Sequence, residues 1–412
     1  MPENEDRTRL QFQVEQLRAN CRDRPDGGAF ELGVEWTEHR REVDYLYRQD
    51  RLICDAADLD DVLAAFDRIK EERPSPEQIT DGPVRLKIID TGGRHADQLA
   101  QALSVALGDD QIVTPSYVVD TTAKTAVCPA TDPLPWEGPV QVWPEPEGAG
   151  RPTVAVIDSG YDETVASSSG FSRFKAVGDF EPDDEVYFPG SKDLRPYGGH
   201  GTAAAACLLA VAGGNSVTLR VRDILVGGAA DELAIVEDLE TVVKDGVDVV
   251  SLQGGLYTRG GREPRSFNNF RRYVLAHHPR TVLLAAAGND GEDRPFWPAA
   301  FGWCTAVGAL TKGGDARARW SNLGHWVDVY ATGESVVVPY PDGRLEYFGG
   351  TRALFSRSHA LWSGTSFATP YVAGLVARRM IERGVDAPHA LKIILDEARE
   401  AALPWTGPRI VF

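Results

Sequence analysis

Three residues with the makings of a nucleophilic site close or open short runs of small and apolar residues. Asp158 ends the apolar run VAVIDSG. His200 stands between glycines in YGGHGTAAAA. Ser366 stands among small residues in WSGTSFATP, just ahead of the apolar stretch YVAGLVARRM. A serine hydroxyl is a weak nucleophile until a base takes its proton. An imidazole serves as that base when a carboxylate fixes its tautomer and stabilises the imidazolium. A fourth residue, Asn289 at the end of AAAGN, brings a side-chain amide that can donate to the oxyanion of a tetrahedral intermediate, beside the backbone N–H of Ser366. Taken singly, each has an ordinary reading: Ser and Gly open helices, Asp follows strands in turns, and a lone His is most often structural. Their joint presence, in the order Asp, His, Ser, points to acyl transfer.

Such residues need a frame. From Thr153 onward, TVAVIDSG, TLRVRDILVG, VDVVSLQGG, TVLLAAAGN, CTAVGAL and VDVYATG are apolar runs ending in small or polar residues. Helical stretches such as ELAIVEDLETVVKDG and NNFRRYVLAHH lie between some of them. This pattern predicts an α/β fold with a mostly parallel sheet and helices on both faces, with sites at the carboxyl ends of strands.

The first part of the chain reads differently. A weak helical pattern covers RLQFQVEQLRAN. Strands are expected at 30–36 and 43–56, and a helix over DLDDVLAAFDRIKEE with Asp58 as its N-cap. VRLKIID and QIVTPSYVVD read as strands, the second broken at Pro115, with the helix HADQLAQALSVAL between them. The alternation suits a small α+β unit, ferredoxin-like as one option. Positions 128–152 then hold seven of the 26 prolines and read as an extended connection. The expected division is 1–127 N-terminal α+β, 128–150 linker and 151–412 α/β.

The chain has 412 residues and a net charge of −18, with a pI of about 4.9. Such a surface repels phosphate backbones, which argues against nucleic acid as a partner. No apolar run approaches a membrane span, and the polar start MPENEDRTRL lacks the pattern of a leader, so a cytoplasmic protein is expected. Cys21, Cys54, Cys128, Cys207 and Cys304 are scattered and show no CxxC, which suits reduced thiols better than disulfides or a metal.

The strings around Asp158, His200, Asn289 and Ser366 (AVIDSG, GHGT, AAAGN and GTSFATPYVAG), together with WPAAFGWCTAVGAL and RWSNLGHWVDVYATG, resemble those of the subtilisin-like serine proteases, the subtilases. The resemblance spans residues of about 150 to 385. It implies a seven-stranded, mostly parallel sheet and a serine endopeptidase working through an acyl-enzyme. Ser366 would attack, His200 move the proton, Asp158 orient His200, and Asn289 stabilise the oxyanion. It implies an extended protein or peptide substrate along Gly227, Gly228 and Ala230 and along Gln253, Gly254 and Gly255. The pocket for the residue before the scissile bond would be walled by Gln253–Gly255 and by Ala286–Asn289, with Ala287 and Gly288 between. No cofactor is required. Calcium at EPDDE (181–185) is a lesser option, because the run lacks the spacing of a calcium loop.

Two departures stand out. Ala203 replaces a second His that the family often carries, a change expected in packing alone. Gln253 begins Gln-Gly-Gly where relatives read Ser-Leu-Gly, and it is expected to narrow or polarise the pocket entrance. The resemblance also implies that the N-terminal segment is a prodomain-like inhibitor, with a recognition module as the alternative. For the whole chain, the alternative is a catalytically silent pseudoprotease that binds extended peptides. His359 reads as a loop residue, Cys207 and WPAAFGWC as core.

Overall fold

The computed structural model describes residues 2–24, 28–37, 42–121, 130–140, 143–167, 176–404 and 406–410, with side chains from position 9 onward. Cys128 and linker positions 128, 129, 141 and 142 lie outside the described residues.

The N-terminal segment contains α1 (Pro2–Arg22), β1 (Leu32–Trp36), β2 (Val43–Asp55), α2 (Leu59–Arg68), β3 (Ile79–Asp81), β4 (Leu86–Asp90), α3 (Ala96–Leu107) and β5 (Val113–Asp120). From β2 to β5 the order is strand–helix–strand–strand–helix–strand. The strands are antiparallel, in the spatial order β5-β2-β4-β3, with β1 also against β2. That element order is the ferredoxin-like one. Val62, Ala65 and Phe66 of α2 and Leu99, Ala100 and Leu103 of α3 share one buried cluster with the sheet residues Tyr45, Leu52, Ile53 and Ile89.

Two local expectations fail. Asp58 precedes α2 but makes no side-chain cap bond. Its backbone is already helical (φ −93°, ψ −5°), whereas a capping residue needs extended backbone to aim its oxygen at the first N–H groups. Its carboxylate instead lies 3.4 Å from Arg265. Strand β5 also runs unbroken through Pro115. The β2–β5 register shifts between Tyr47 and Leu52, and Pro115 sits opposite Leu52 at that irregularity, where a missing N–H is tolerated.

The rest of the chain continues with β6 (Leu134–Pro135), β7 (Thr153–Asp158), α4 (Glu163–Ala166), β8 (Gly178–Phe180), α5 (His200–Ala212), β9 (Thr218–Asp223), β10 (Ala229–Asp231) and α6 (Glu232–Lys244). Then come β11 (Val249–Leu252), α7 (Arg265–Tyr273), β12 (Val282–Ala286), β13 (Thr305–Leu310) and β14 (Val329–Thr332). Two small antiparallel pieces follow, built from β15 (Val336–Pro339), β16 (Gly343–Glu346), β17 (Arg352–Phe355) and β18 (His359–Trp362). The chain closes with α8 (Thr365–Arg383), α9 (Ala387–Glu400) and β19 (Arg409–Ile410).

Eight strands, in the order β19-β14-β13-β12-β11-β7-β9-β8, form one parallel sheet. Seven were expected; the two end strands are only two and three residues long. Val154 and Val156 of β7 face α5, α8 and α9, while Ala155 and Ile157 face α6 and α7. Burial on both faces is why these strands are continuously apolar.

Strand β10 stands apart from this sheet. It pairs antiparallel with β5, so the N-terminal sheet is extended by a strand from the later part of the chain. His359 is the first residue of β18, opposite Pro339, and not a loop residue. Among the described residues, Cys21, Cys54, Cys207 and Cys304 are free and buried, and no helix is long and apolar enough to cross a membrane.

Candidate active site

Asp158 is the last residue of β7. Its carbonyl accepts the N–H groups of Ile224 and Leu225, both at 2.9 Å, which ties the ends of β7 and β9 together. Its Oδ1 accepts the Ser159 N–H at 2.7 Å and lies 2.7 Å from His200 Nδ1. A carboxylate can only accept, so a neutral imidazole carries its proton on Nδ1 and presents Nε2 as a base. Among the described residues, Nε2 of His200 and Oδ2 of Asp158 are buried without a hydrogen-bond partner.

His200 opens α5, which must approach the end of β7 closely. Gly201 makes that possible: a Cβ there would stand 2.2 Å from the Gly160 carbonyl oxygen. Gly199, just before, has φ +80°, and its N–H donates to Asp183 at 2.8 Å. Burial pushes the Asp183 carboxyl well above its ordinary range. Three of the four carboxylates of 181–185, those of Glu181, Asp183 and Glu185, bond to groups of the chain itself. Glu181 accepts the Asp223 N–H at 2.7 Å and pairs with Arg222, and Glu185 pairs with Arg195 at 3.2 Å. Among the described residues, no three His, Cys, Asp or Glu side chains gather as a metal ion would need. The His200 ring is flanked by Trp362 edge-on at 5.4 Å and by Phe367 at 5.3 Å.

Ser366 is the second residue of α8, and its hydroxyl donates to the Gln253 carbonyl at 3.2 Å. Asn289 is fastened to the start of the same helix: its Oδ1 accepts both the N–H and the hydroxyl of Thr365 at 2.9 Å. A backbone N–H can only donate, so the oxygen end of the amide is fixed there and the NH2 end is directed to the opposite side. Thr365 was not singled out from sequence. It sits in the same string as Ser366, but nothing local reveals a partner 76 positions away.

The sequence departures resolve as follows. Ala203 is buried in an apolar cluster. The Gln253 side chain turns back along its own strand. Its amide donates to the Ser251 carbonyl and hydroxyl, both at 2.8 Å, and is fully buried. Acceptors lying beneath the strand end draw the side chain inward.

The expected substrate edges are occupied by the chain itself. Asp120 exchanges two backbone bonds with Gly255, at 2.8 and 3.0 Å, and Thr121 N–H donates to the Gly228 carbonyl at 3.1 Å. Ala229 and Ala230 of β10 face Asp120 and Val119. Gly254 lies against Asp120 and Val119 as well. Helix α1 covers the same rim. Asn20 donates to the Gly227 carbonyl at 2.9 Å and Arg24 to that of Ala229 at 2.7 Å. Its apolar residues Leu10, Val14, Leu17 and Cys21 share a buried cluster with Tyr197, Trp362 and Phe367. Ser366 and His200 are each only 1% exposed. Ala287 and Gly288 are also buried, and the Gly288 N–H donates to the Thr365 hydroxyl at 3.3 Å.

Charged groups fasten this cover. Asp231 pairs with Arg48 at 3.3 Å and Arg51 at 2.5 Å, and accepts the Ser116 hydroxyl at 2.7 Å. Arg259 pairs with Asp97, Arg265 with Asp55, and Arg294 with Asp44. Glu232 accepts the Tyr117 N–H at 2.6 Å and bonds with Ser266; burial pushes its carboxyl up to about 8. Sequence reading missed these residues, because all but one of the pairs join positions more than a hundred apart.

Comparison with known proteins agrees with this geometry. The profile of the subtilase (peptidase S8) family matches residues 150–399, more than half of the chain. The chain belongs to the subtilase family of subtilisin-like serine proteases. Thermitase of Thermoactinomyces vulgaris is 28% identical over 285 residues, covering 66% of this chain and 90% of its own. A thermophilic serine proteinase from Bacillus sp. (strain AK1) is 32% identical over 241 residues, 57% of this chain. The match spans only 53% of that relative. The crystal structure of fervidolysin from Fervidobacterium pennivorans, titled a keratinolytic enzyme related to subtilisin, has a TM-score of 0.56 at 16% identity. That likeness covers 89% of this chain and 60% of fervidolysin, and it concerns fold alone.

Proposed function

We propose that the chain is a serine endopeptidase whose N-terminal segment holds it inactive in cis. The observation that carries the catalytic reading is the buried 2.7 Å contact between Asp158 Oδ1 and His200 Nδ1, with Ser366 at the adjoining helix start. In this reading a rotation about χ1 turns the Ser366 hydroxyl from the Gln253 carbonyl toward Nε2. Ser366 Oγ then attacks the peptide carbonyl carbon as its proton passes to Nε2. The oxyanion takes hydrogen bonds from the Asn289 amide and the Ser366 N–H. Collapse expels the amine, which leaves with the proton from Nε2, and water repeats the sequence on the acyl-enzyme. Asp158 stays ionised and holds the imidazolium. No cofactor takes part.

The restraint reading rests on β5, which lies between Gly228–Ala230 and Gly255 as an added strand, the mode in which an extended peptide binds a sheet edge. Tethering raises the effective concentration of such a strand to the millimolar range for short linkers, so modest affinity suffices. Residence in the cytoplasm is supported by four buried free thiols, which suit a reducing compartment.

The test is labelling with a fluorophosphonate and hydrolysis of a peptide library by the full chain, wild type beside Ser366→Ala. Labelling and cleavage lost in the variant support the reading. A wild type that neither labels nor cuts, even when high salt loosens the N-terminal segment, sinks it.

A further inference from the structure

The adjacent parallel strands β11 and β12, paired up to Leu252 and Ala285, continue into Gln253-Gly254-Gly255 and Ala287-Gly288-Asn289, the two walls that the family resemblance assigns to the pocket before the scissile bond. A ring lies against both of them. Leu256 and Trp297 exchange backbone bonds of 2.8 and 2.9 Å, which pin the segment beginning at Phe296 alongside the first wall. Phe296 is 3% exposed and touches both walls. A Cβ added to Gly255 would stand 2.3 Å from its Cε1, and one added to Gly288 would stand 3.1 Å from its Cδ1. The Tyr257 ring backs it at 4.9 Å between centroids. Both walls are glycine where the ring takes the space of a side chain.

The register tells which substrate residue meets this ring. Asp120 lies opposite Gly255 in antiparallel pairing. A peptide bound in that register and running two residues further would have that residue opposite Gln253. The Gln253 carbonyl is the one that accepts the Ser366 hydroxyl at 3.2 Å. The bond open to attack therefore follows a residue whose side chain falls on the same face as the Gly255 Cβ position, where Phe296 takes the space.

We propose that Phe296 is a specificity-determining residue, and that it restricts the position before the scissile bond to Gly, Ala, Ser or Thr. The assignment rests on the protease reading above and deepens it by naming the substrate class. Interiors close-packed in this way do not yield room for a Leu, Phe or Lys side chain.

The test is digestion of a proteome-derived peptide library by the full chain, at the high salt that loosens the N-terminal segment, with cut sites read by mass spectrometry. Wild type, Phe296→Ala, Phe296→Val and Ser366→Ala are run side by side, with fluorophosphonate labelling in parallel. Wild type is expected to cut after small residues. Phe296→Ala should gain cuts after Leu, Met, Phe and Tyr at least tenfold, and Phe296→Val should gain those after Leu. A gained specificity cannot come from misfolding, and the Val variant removes less of the core should the Ala variant fail to fold. Frequent wild-type cutting after Leu or Phe overturns the assignment. So does an unchanged preference for small residues in a folded variant. A wild type that neither cuts nor labels, even at the high salt that loosens the N-terminal segment, overturns the protease reading itself, and is told apart by the missing label.

Discussion

The residues proposed for catalysis and the segments that cover them are held by different kinds of bond. Asp158, His200, Asn289 and Ser366 are fixed by strand ends, helix starts and backbone groups: the Asp158 carbonyl on Ile224 and Leu225, Asp183 on the Gly199 N–H, Thr365 on Asn289. The cover shares an apolar core with the parallel-sheet part, where Tyr45 and Leu103 join Leu239, Leu256 and Phe267. Its perimeter, however, is a set of Arg–Asp pairs, Arg48 and Arg51 on Asp231 and Arg259 on Asp97 among them. Backbone geometry is indifferent to salt and largely to pH. Charged pairs respond to both. In the proposed reading the cover loosens while the chemistry keeps its shape, and each prediction below perturbs one side of that contrast.

The largest effect belongs to the chemistry. Ser366→Ala, or Asp158→Asn, which leaves the imidazole in the wrong tautomer, should lower peptide hydrolysis by about 10⁴-fold or more. The melting temperature should change little, because the backbone bonds that shape the site remain. Circular dichroism melts beside activity assays check this. A large fall in stability would mean that the polar side chains, and not the backbone, hold the site together.

Asn289→Ala comes next. In the proposed mechanism its donor acts on charge present only in the transition state, so turnover should fall about 100- to 1,000-fold with little change in Michaelis constant. Steady-state kinetics decide it. An effect confined to the Michaelis constant would make Asn289 a substrate-binding residue.

The cover is probed by Asp231→Asn. Asparagine still serves as the N-cap of α6, where Asp231 now accepts the Leu233 N–H. The loss is the charge facing two arginines, one of them buried. Removing one partner of a buried pair is costly, and the part exposure of Arg51 tempers that cost. Peptide hydrolysis by the full chain should rise about tenfold at low salt, and wild type should approach it as salt is raised. Equal rates at every salt concentration would show that the ionic perimeter does not hold the segment down.

The same contrast explains what could be read in the sequence. The parallel sheet and the four polar residues were legible because each lies in a short string with its own pattern: an apolar run, a terminal small residue, a glycine bend. The pairing of β5 with β10 was not, since it uses backbone groups that leave no side-chain signature. The seat of α1 was equally hidden: Asn20 and Gly227 are 207 positions apart. Gln253 was noticed as unusual, but its direction depended on Ser251 acceptors beneath the strand. Phe296 passed unnoticed beside a string read as core, because a buried ring looks the same whether it fills a core or a pocket.

The smallest effect is a pH dependence. Glu232, packed under β5, has its carboxyl raised from the ordinary value of 4.5 to about 8, by burial first and by the neighbouring Asp231 charge as well. Between those values the folded chain holds a proton that the unfolded chain has released. The stability this proton brings is fully present below about pH 4.5 and is lost as pH rises through about 8. One such group contributes a slope of at most about 1.4 kcal/mol per pH unit. Asp223, raised to about 7 mainly by burial, and Asp183, raised in the same way, act in the same direction. Glu232→Gln should therefore flatten the decline without abolishing it. Glutamine can accept the Tyr117 N–H and donate to the Ser266 hydroxyl, so the variant should melt with wild type near pH 5 and above it near pH 8.5. Melting temperatures of both proteins across that range decide the matter. A constant offset would mean that Glu232 is ionised throughout, and that the ionic perimeter alone gives the cover its response to pH.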